Sequence, residues 1–354
     1  MTRPVRVAVL GAGGYGAGEL LRLFTQHPAV EVVSVTSTSQ AGQPLHSAHP
    51  HLRGFYDLRI TASIDLDALL RAEHAFIFSA LPHGVSAATL DRLLTDLEQR
   101  GQADRVRAVD LSGDLRLADA EAHTRHYPET PLLPERRRSF VYGLPELLRE
   151  RIRTARGVAN PGCLASAALL AAAPLVSGGF SGTLVVDAKT GSSGSGRQLR
   201  ETTHHPTRHA NFRAYRPLAH QHEPEILQAL GDPRGTRLAL SFVAQSMDAT
   251  RGIFVTVHAT LPEPVATAAL RARYAAFYAE SPFVRVVEGS PELQNVVGSN
   301  FCDIGVACRG RQVVALAALD NLVKGMAGTA IQNMNLMCGL PETTGLWWPG
   351  LRPV

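Results

Sequence analysis

The residue best placed to do covalent chemistry is Cys163, in Asn160-Pro161-Gly162-Cys163. It is followed by Leu164-Ala165-Ser166-Ala167-Ala168-Leu169-Leu170-Ala171-Ala172-Ala173, a composition that favours helix. Pro161 and Gly162 suit a tight turn, so Cys163 is expected at a helix N-terminus, where the dipole and free amides favour a thiolate nucleophile. A nucleophilic thiol needs a proton partner, and His220-Gln221-His222-Glu223-Pro224-Glu225-Ile226 offers two imidazoles at the opening of a helix. Histidines at i and i+2 do not share a helix face, which argues against chelation by this pair. Cys302, Cys308 and Cys338 lack CxxC spacing and read as packing residues rather than zinc ligands or a disulfide framework.

A second chemistry is written at the start of the chain. The β-rich run Val5 to Leu10 meets Gly11-Ala12-Gly13-Gly14-Tyr15-Gly16 and then the helical Ala17 to Phe24. Strand, GxGxxG, helix is the context in which these glycines allow a tight turn and bring a pyrophosphate to a helix N-terminus. The next strand, Glu31 to Val35, ends in Thr36-Ser37-Thr38-Ser39 and offers hydroxyls where an NAD site usually carries a carboxylate, so NADP(H) is the expected cofactor. Further strands follow at Ala75 to Ser79, running into Ala80-Leu81-Pro82-His83-Gly84, and at Arg105 to Leu111, running into Ser112-Gly113-Asp114-Leu115-Arg116-Leu117. Turns at the carboxyl ends of parallel strands are where cofactors lie, and Arg116 there suits an anion. His46 to His51 is rich in histidine, but its proline and loop-like composition do not suit a fixed metal geometry, and no metal is expected. Tyr127 to Arg138 reads as an irregular surface segment.

Beyond Cys163 the pattern changes. Thr183 to Ala188 leads into Lys189-Thr190-Gly191-Ser192-Ser193-Gly194-Ser195-Gly196-Arg197, a loop whose amides, hydroxyls and two cations suit a phosphate or carboxylate. Glu201 to Arg216 lacks a period and reads as an exposed loop or lid. Strands are expected at Arg237 to Ala244, Arg251 to Thr260, Phe301 to Cys308 and Gln312 to Leu319, with a helix near Ala266 to Ala279 and a long helix from Asp320 through Met337: a mainly antiparallel sheet with helices.

The chain of 354 residues, with 45% hydrophobic and 19% charged residues, is long enough for two cored domains. A net charge of +4 is mildly basic, too slight and too dispersed for nucleic acid, and compatible with an anionic substrate or an acidic protein partner. The start at Met1-Thr2-Arg3-Pro4 and the lack of a long apolar run point to a reduced, cytoplasmic protein with no membrane partner.

In these motifs the chain resembles the N-acetyl-γ-glutamyl-phosphate reductase family, within the aspartate-semialdehyde dehydrogenase superfamily, along essentially its whole length. The resemblance rests on seven motifs in order: Gly11 to Gly16, Ala80 to Gly84, Asp110 to Leu117, Asn160 to Cys163, Lys189 to Arg197, His220 to Ile226, and Asp320 to Gly328. It implies an α/β protein with an N-terminal Rossmann NADP-binding domain, residues 1–160 with a C-terminal helix of about 322–354, and a C-terminal α+β catalytic and dimerisation domain, 161–321. It implies NADPH-dependent reduction of an acyl phosphate through a Cys163 thioester. His220 would be the acid–base, with His222 a substrate contact or the alternative base. Arg116, Asn160, Ser192, Ser193, Gly194 and Arg197 would surround the substrate. Gly11, Gly13, Gly14, Tyr15, Gly16, Ser37, Thr38, Ser39, Leu81, Pro82, Ser112, Gly191 and Asn321 would hold the cofactor. A homodimer or homotetramer is implied as well.

Two departures from the family pattern bear on the substrate. Leu164-Ala165-Ser166 stands where the family has Tyr-Pro-Thr, and His204-His205-Pro206 resembles the branch whose substrates are attached to a small acidic amino-group carrier protein. Asn160-Pro161 and Lys189 to Gly194 look more like the N-acetylglutamyl branch, so both acyl carriers stay open. An aspartate-semialdehyde dehydrogenase would have glutamine where Ala165 stands. A non-catalytic NADP-binding regulator would have lost Cys163 or the histidine pair, and a thiol amidase leaves the glycine loop unexplained.

Overall fold

Continuous apolar runs bounded by glycine turns make the first sheet. The computed structural model describes residues 5–353. Strands β1 (Val5–Leu10), β2 (Val30–Thr36), β3 (His74–Ser79), β4 (Val106–Asp110), β5 (Phe140–Tyr142) and β6 (Gly157–Ala159) lie in the order β2-β1-β3-β4-β6-β5. All five pairings are parallel. In β3 every residue after His74 is buried, as a strand covered on both faces must be. Helix Tyr15–Phe24 carries a buried stripe of Leu20, Leu21, Leu23 and Phe24, and helix Ser86–Gln99 packs Leu90 and Leu97 into the core with Ala8, Ile77 and Ala108.

The second sheet is built differently. Strands β7 (Gly182–Thr190), β8 (Arg213–Tyr215), β9 (Leu238–Ser246), β10 (Ile253–Thr260), β11 (Val284–Val286), β12 (Cys302–Arg309) and β13 (Gln312–Leu319) run in the order β11-β12-β13-β10-β7-β9-β8. Four pairings are antiparallel and two, β7 with β9 and β11 with β12, are parallel. Burial alternates along β7 and β10, the period-2 mark of strands with one covered face. Helix Cys163–Ser177 supplies the cover, with Leu164 through Leu175 all buried.

That helix contains Pro174, which has no N–H to give the carbonyl four residues back, Leu170. The hydroxyl of Tyr278 donates to the Leu170 carbonyl at 2.6 Å, and that of Tyr274, on helix Thr267–Phe277, donates to Ala171 at 2.6 Å. The Tyr278 phenol thus satisfies the carbonyl that the proline leaves behind, and Tyr274 adds a donor to its neighbour.

The contacts divide the chain into two units. One runs to Pro161 and includes Ala327–Leu346; the other is Gly162–Met326 with the tail from Trp347. The tail therefore differs from its expected place in the first domain. Trp348 Nε1 donates to the Gly298 carbonyl, Leu351 N donates to the Val297 carbonyl, and Trp347 packs on Phe283 and Phe301. Tyr127 to Arg138 is likewise more ordered than expected: Pro134–Arg138 is a short helix, Arg137 is buried, and Arg136 pairs with Asp91 and Glu98. Non-local ion pairing overrode a locally irregular composition. The long helix expected from Asp320 begins instead with a π-helical turn, Val323–Ala327, before α-helix Gly328–Met337. Among the described residues no helix is long and apolar enough to cross a membrane.

Candidate active site

In the first unit the glycine turn has the geometry a dinucleotide needs. Gly11 has φ +87°, and a Cβ there would lie 2.8 Å from the Ala80 carbonyl oxygen, so only glycine fits between β1 and the Ala80 to Gly84 turn. Gly11 and Ala12 donate their amides to the Thr36 carbonyl at 3.0 and 2.8 Å, tying the turn to the end of β2. Gly14 caps helix Tyr15–Phe24 with open space where a Cβ would stand, and Tyr15 is exposed in the first turn. His49 sits under the turn: its Nε2 is 2.5 Å from the Ala12 carbonyl oxygen, and its ring occupies the space that a Cβ on Gly18 would need. The histidine-rich stretch therefore contributes a brace for the glycine loop. No group of three or more metal-binding side chains is gathered among the described residues. At the end of β2, Ser37 is half-buried, Thr38 and Ser39 are exposed, and Ser37 and Ser39 hydroxyls are 3.3 Å apart.

The Leu81-Pro82 turn is held by a buried acid that sequence reasoning left unassigned. Asp114 accepts from the amides of Gly84 and Ala87, each at 3.1 Å, and from the Thr130 hydroxyl. Burial pulls its carboxyl pKa upward, but bonds from His83, Ala87 and Gly84 outweigh burial and hold it below the usual carboxylate range. Ser112 is buried between this acid and Asp110, donating to Asp110 Oδ2 at 2.8 Å and accepting from Asp114 N at 3.1 Å. Asp110 itself is fully buried, which raises its pKa. Arg116 is also buried. Its Nε donates to the Asn160 carbonyl at 2.7 Å and its Nη2 to the Leu111 carbonyl at 3.2 Å. The structure thus shows Arg116 positioning Asn160, whose side-chain oxygen accepts from Asn333 at 3.3 Å.

The second unit carries Cys163, the first residue of its helix and half-buried, as expected. Gly162 is fixed from below by Glu225, whose fully buried carboxylate accepts the Gly162 amide at 2.6 Å. His222 lies on the other side of Gly162: a Cβ there would fall 2.3 Å from His222 Nε2. His220 Nδ1 accepts the His222 amide at 3.1 Å, the two rings stand edge to face at 4.6 Å, and Tyr215 and Phe242 flank His220. With Nδ1 accepting, neutral His220 carries its proton on Nε2. Burial pushes the Tyr215 phenol up, and the Cys163 charge adds to that shift. Gly325, in the π-helical turn, backs the cysteine; a Cβ there would be 2.8 Å from Cys163 Cβ.

The loop from Lys189 to Arg197 requires a correction. Five of its amides are already bonded within the protein: Gly191, Ser192 and Ser193 donate to the carbonyls of Gly252, Ala249 and Thr250, and Gly194 and Gly196 donate to Gly191 and Ser193. Ser193 Oγ also donates to the Thr250 carbonyl. The side chains of the loop that face outward include the exposed Arg197. Asn321 is buried, accepting from Gly252 N at 2.8 Å and donating to Ser193 Oγ at 2.9 Å, so it anchors this loop. Neighbouring Asp320 binds the Arg251 guanidinium at 2.9 and 3.0 Å and accepts the amides of Gly298, Leu322 and Val323.

Sequence reasoning missed Glu225, although its i+3 spacing from His222 puts both on one face of their helix. Glycines at the start of the last helix suit close approach to another backbone, and for Gly325 the structure shows that the neighbour is Cys163, 162 positions away. Cys302 is buried, and burial pushes the thiol of Cys308 up and that of Cys338 up to about 12, as suits packing residues.

Comparison with known proteins agrees with this division of labour. A family model described as the semialdehyde dehydrogenase NAD binding domain matches residues 6–155, and one described as the semialdehyde dehydrogenase dimerisation domain matches residues 163–321. The N-acetyl-γ-glutamyl-phosphate reductase of Symbiobacterium thermophilum is 43% identical over 349 residues, covering 97% of each chain. The chain belongs to the N-acetyl-γ-glutamyl-phosphate reductase family of semialdehyde dehydrogenases. Family members of a second kind are equally similar: a reductase of Aeropyrum pernix named for LysW-L-2-aminoadipate and LysW-L-glutamate phosphate is 40% identical over the whole of both chains. Among solved structures, aspartate semialdehyde dehydrogenase II of Vibrio cholerae shares the fold, with TM-score 0.67 and 14% identity over 95% of this chain and 99% of its own. The protein is thus an α/β oxidoreductase of this reductase family, with an NAD(P)-binding first domain and a second domain of mainly antiparallel sheet.

Proposed function

We propose that the protein reduces N-acetyl-γ-glutamyl phosphate to N-acetylglutamate 5-semialdehyde with NADPH, in the cytoplasm. The observation that carries this reading is Cys163 at its helix start, backed by Gly325 and bordered by the His220–His222 pair, in a chain whose first unit is an NAD(P)-binding domain. The Cys163 thiolate attacks the acyl carbon, the carbon–oxygen bond to phosphate breaks, and a thioester is left on the protein. His220, its proton held on Nε2, donates to the oxygen as the hemithioacetal forms and takes that proton back as the carbon–sulfur bond breaks and the thiolate leaves; His222, against Gly162, is the alternative acid–base. NADPH, when bound, supplies the hydride that reduces the thioester, after which the carbon–sulfur bond breaks and the aldehyde leaves. Gly11, Gly13, Gly14, Tyr15 and Gly16 would hold the pyrophosphate side, and Ser37, Thr38 and Ser39, with no carboxylate among them, the 2′-phosphate. Leu81, Pro82, Ser112, Gly191 and Asn321 complete the proposed cofactor set, Ser112 and Asn321 by holding turns. Asn160, Ser192, Ser193, Gly194 and Arg197 are the proposed contacts of the acyl group, with Arg116 positioning Asn160.

A second substrate reading has an observation of its own. Residues 197–216 carry five arginines against one glutamate, in a largely exposed segment, which suits a substrate carried on an acidic protein. A relative named for LysW-linked substrates is matched over the whole of both chains. A homodimer or homotetramer is proposed from the second sheet, whose β7 face leaves Val185 43% exposed.

The test is the reverse reaction: NADPH formation from NADP with phosphate and either free N-acetylglutamate semialdehyde or a carrier-linked semialdehyde. Turnover of the free aldehyde, abolished by Cys163→Ala, is the expected result. Turnover of the carrier-linked one alone selects the second reading, and turnover of neither sinks both.

A further inference from the structure

The tail after Leu346 has no part in the reaction scheme, yet within the second unit it reaches the segment behind the nucleophile by two routes. Gly325 lies between Cys163 and the backbone of Asp320. A Cβ on it would stand 2.8 Å from Cys163 Cβ and 3.3 Å from the Asp320 carbonyl oxygen. Its amide donates to that same carbonyl at 2.8 Å, five residues back, which is the bond that widens this turn into a π-helix. The room behind the thiol is therefore set by where Asp320 stands.

Asp320 is fully buried, and its carboxylate is held from outside the turn by Arg251 and by the Gly298 amide, which donates to Oδ2 at 2.7 Å. Gly298 is the link to the tail. It has φ +82°, its carbonyl accepts the indole N–H of Trp348 at 3.0 Å, and a Cβ on it would fall 2.7 Å from Leu351 Cγ. Leu351 N donates next door, to the Val297 carbonyl at 2.8 Å. Trp348 and Leu351 thus grip the residue whose amide binds Asp320. The second route runs through Lys324, the neighbour of Gly325. Lys324 is fully buried, and its ammonium faces the Phe283 ring at 5.7 Å from the centroid. Trp347 packs on that same ring, with centroids 5.9 Å apart.

We propose that Trp347 to Leu351 form a strap that positions Cys163, with Trp348 as its positioning residue. The indole N–H fixes Gly298, the Gly298 amide fixes Asp320, and Asp320 fixes the π-helical turn against the thiol. Close-packed contacts of this kind pass a displacement on rather than absorb it. A loosened tail therefore lets Gly325 shift, and Cys163 loses both its approach geometry and its seat at the helix N-terminus. Trp348 touches neither substrate nor cofactor in this scheme and acts only through the turn. The strap rests on the reading of Cys163 as the nucleophile of an acyl-phosphate reductase.

The experiment compares Trp348→Phe, which keeps an aromatic ring and removes the N–H, with Arg352→Ala, both in the full chain. Arg352 lies in the same tail but bonds Asn295 and Glu292 rather than Gly298. Alkylation of Cys163 by iodoacetamide is followed by peptide mass across the thiol titration range, and aldehyde-dependent NADPH formation is measured beside it. Trp348→Phe is expected to raise the midpoint of the alkylation profile by about half a pH unit or more, because the thiolate loses its helix-terminal stabilisation. It should also lower kcat about tenfold, with KM for the aldehyde within about twofold. Arg352→Ala should change neither. Leu351 is 60% exposed, so Leu351→Ala carries the same comparison should Trp348→Phe fail to fold. An unchanged alkylation profile in the folded variant overturns the strap, as does an equal shift in Arg352→Ala or a rise in KM with kcat intact. Absence of turnover in the unsubstituted protein would sink the reductase reading, while the alkylation profiles still judge the strap.

Discussion

Two glycines beside Cys163 do what no other residue can. A Cβ at Gly162 would enter the His222 ring and a Cβ at Gly325 would press on Cys163 itself. Gly325→Ala is expected to lower kcat/KM by about 10²-fold, because a displaced nucleophile loses its approach geometry, while iodoacetamide still titrates one reactive thiol. Steady-state kinetics on a folded variant check this; an unchanged kcat/KM would show that the π-helical turn yields without moving the thiol. At this scale the sequence was legible where chemistry is local. Cys163, the histidine pair and the glycine turn were all readable, because cap, spacing and strand–turn–helix order lie within a few residues. Glu225 and Asp114 were not, because a carboxylate that holds an amide and a carboxylate that faces water look the same in a string.

Among the elements, the Cys163 helix shows a local rule broken and repaired from a distance. Pro174 orphans the Leu170 carbonyl, and Tyr278 restores its donor from across the interface with helix Thr267–Phe277. Tyr278→Phe keeps the ring and removes only the donor, so we expect a loss of about 1–3 kcal/mol in unfolding free energy, measured by denaturant titration. Pro174→Ala in that background should recover part of the loss, since the restored amide can serve Leu170. Propensity placed this helix correctly because an Ala/Leu run outweighs one proline near its end. The Lys189 to Arg197 loop shows the converse: its composition reads as an open anion nest, yet the amides of Gly191, Ser192 and Ser193 are taken by the segment 249–252 and those of Gly194 and Gly196 by the loop itself.

Across the whole molecule, buried histidines link stability to pH. Burial holds His27 below its ordinary value against an opposing bond from Asn335, and burial with the nearby Arg137 does the same to His123. Both rings are therefore neutral in the fold, whereas in the unfolded chain they take up a proton near pH 6.5. The unfolded state binds more protons below that pH, so stability is full above it and declines as pH falls through it. Denaturation midpoints measured from pH 8 to pH 5 should fall over that interval, and His27→Gln should flatten the slope; a flat profile in the parent protein would contradict the assignment.

The sequence by itself determined the two-part organisation, the parallel first sheet and the identity of the nucleophile, because periodicity, glycine spacing and helix capping are short-range properties. Only the tertiary structure decided which backbone amides remain available, where the tail after Leu346 belongs, and which charges face one another. Those depend on contacts between residues far apart in the chain: Gly325 against Cys163, Asn321 against Ser193, Tyr278 under Pro174.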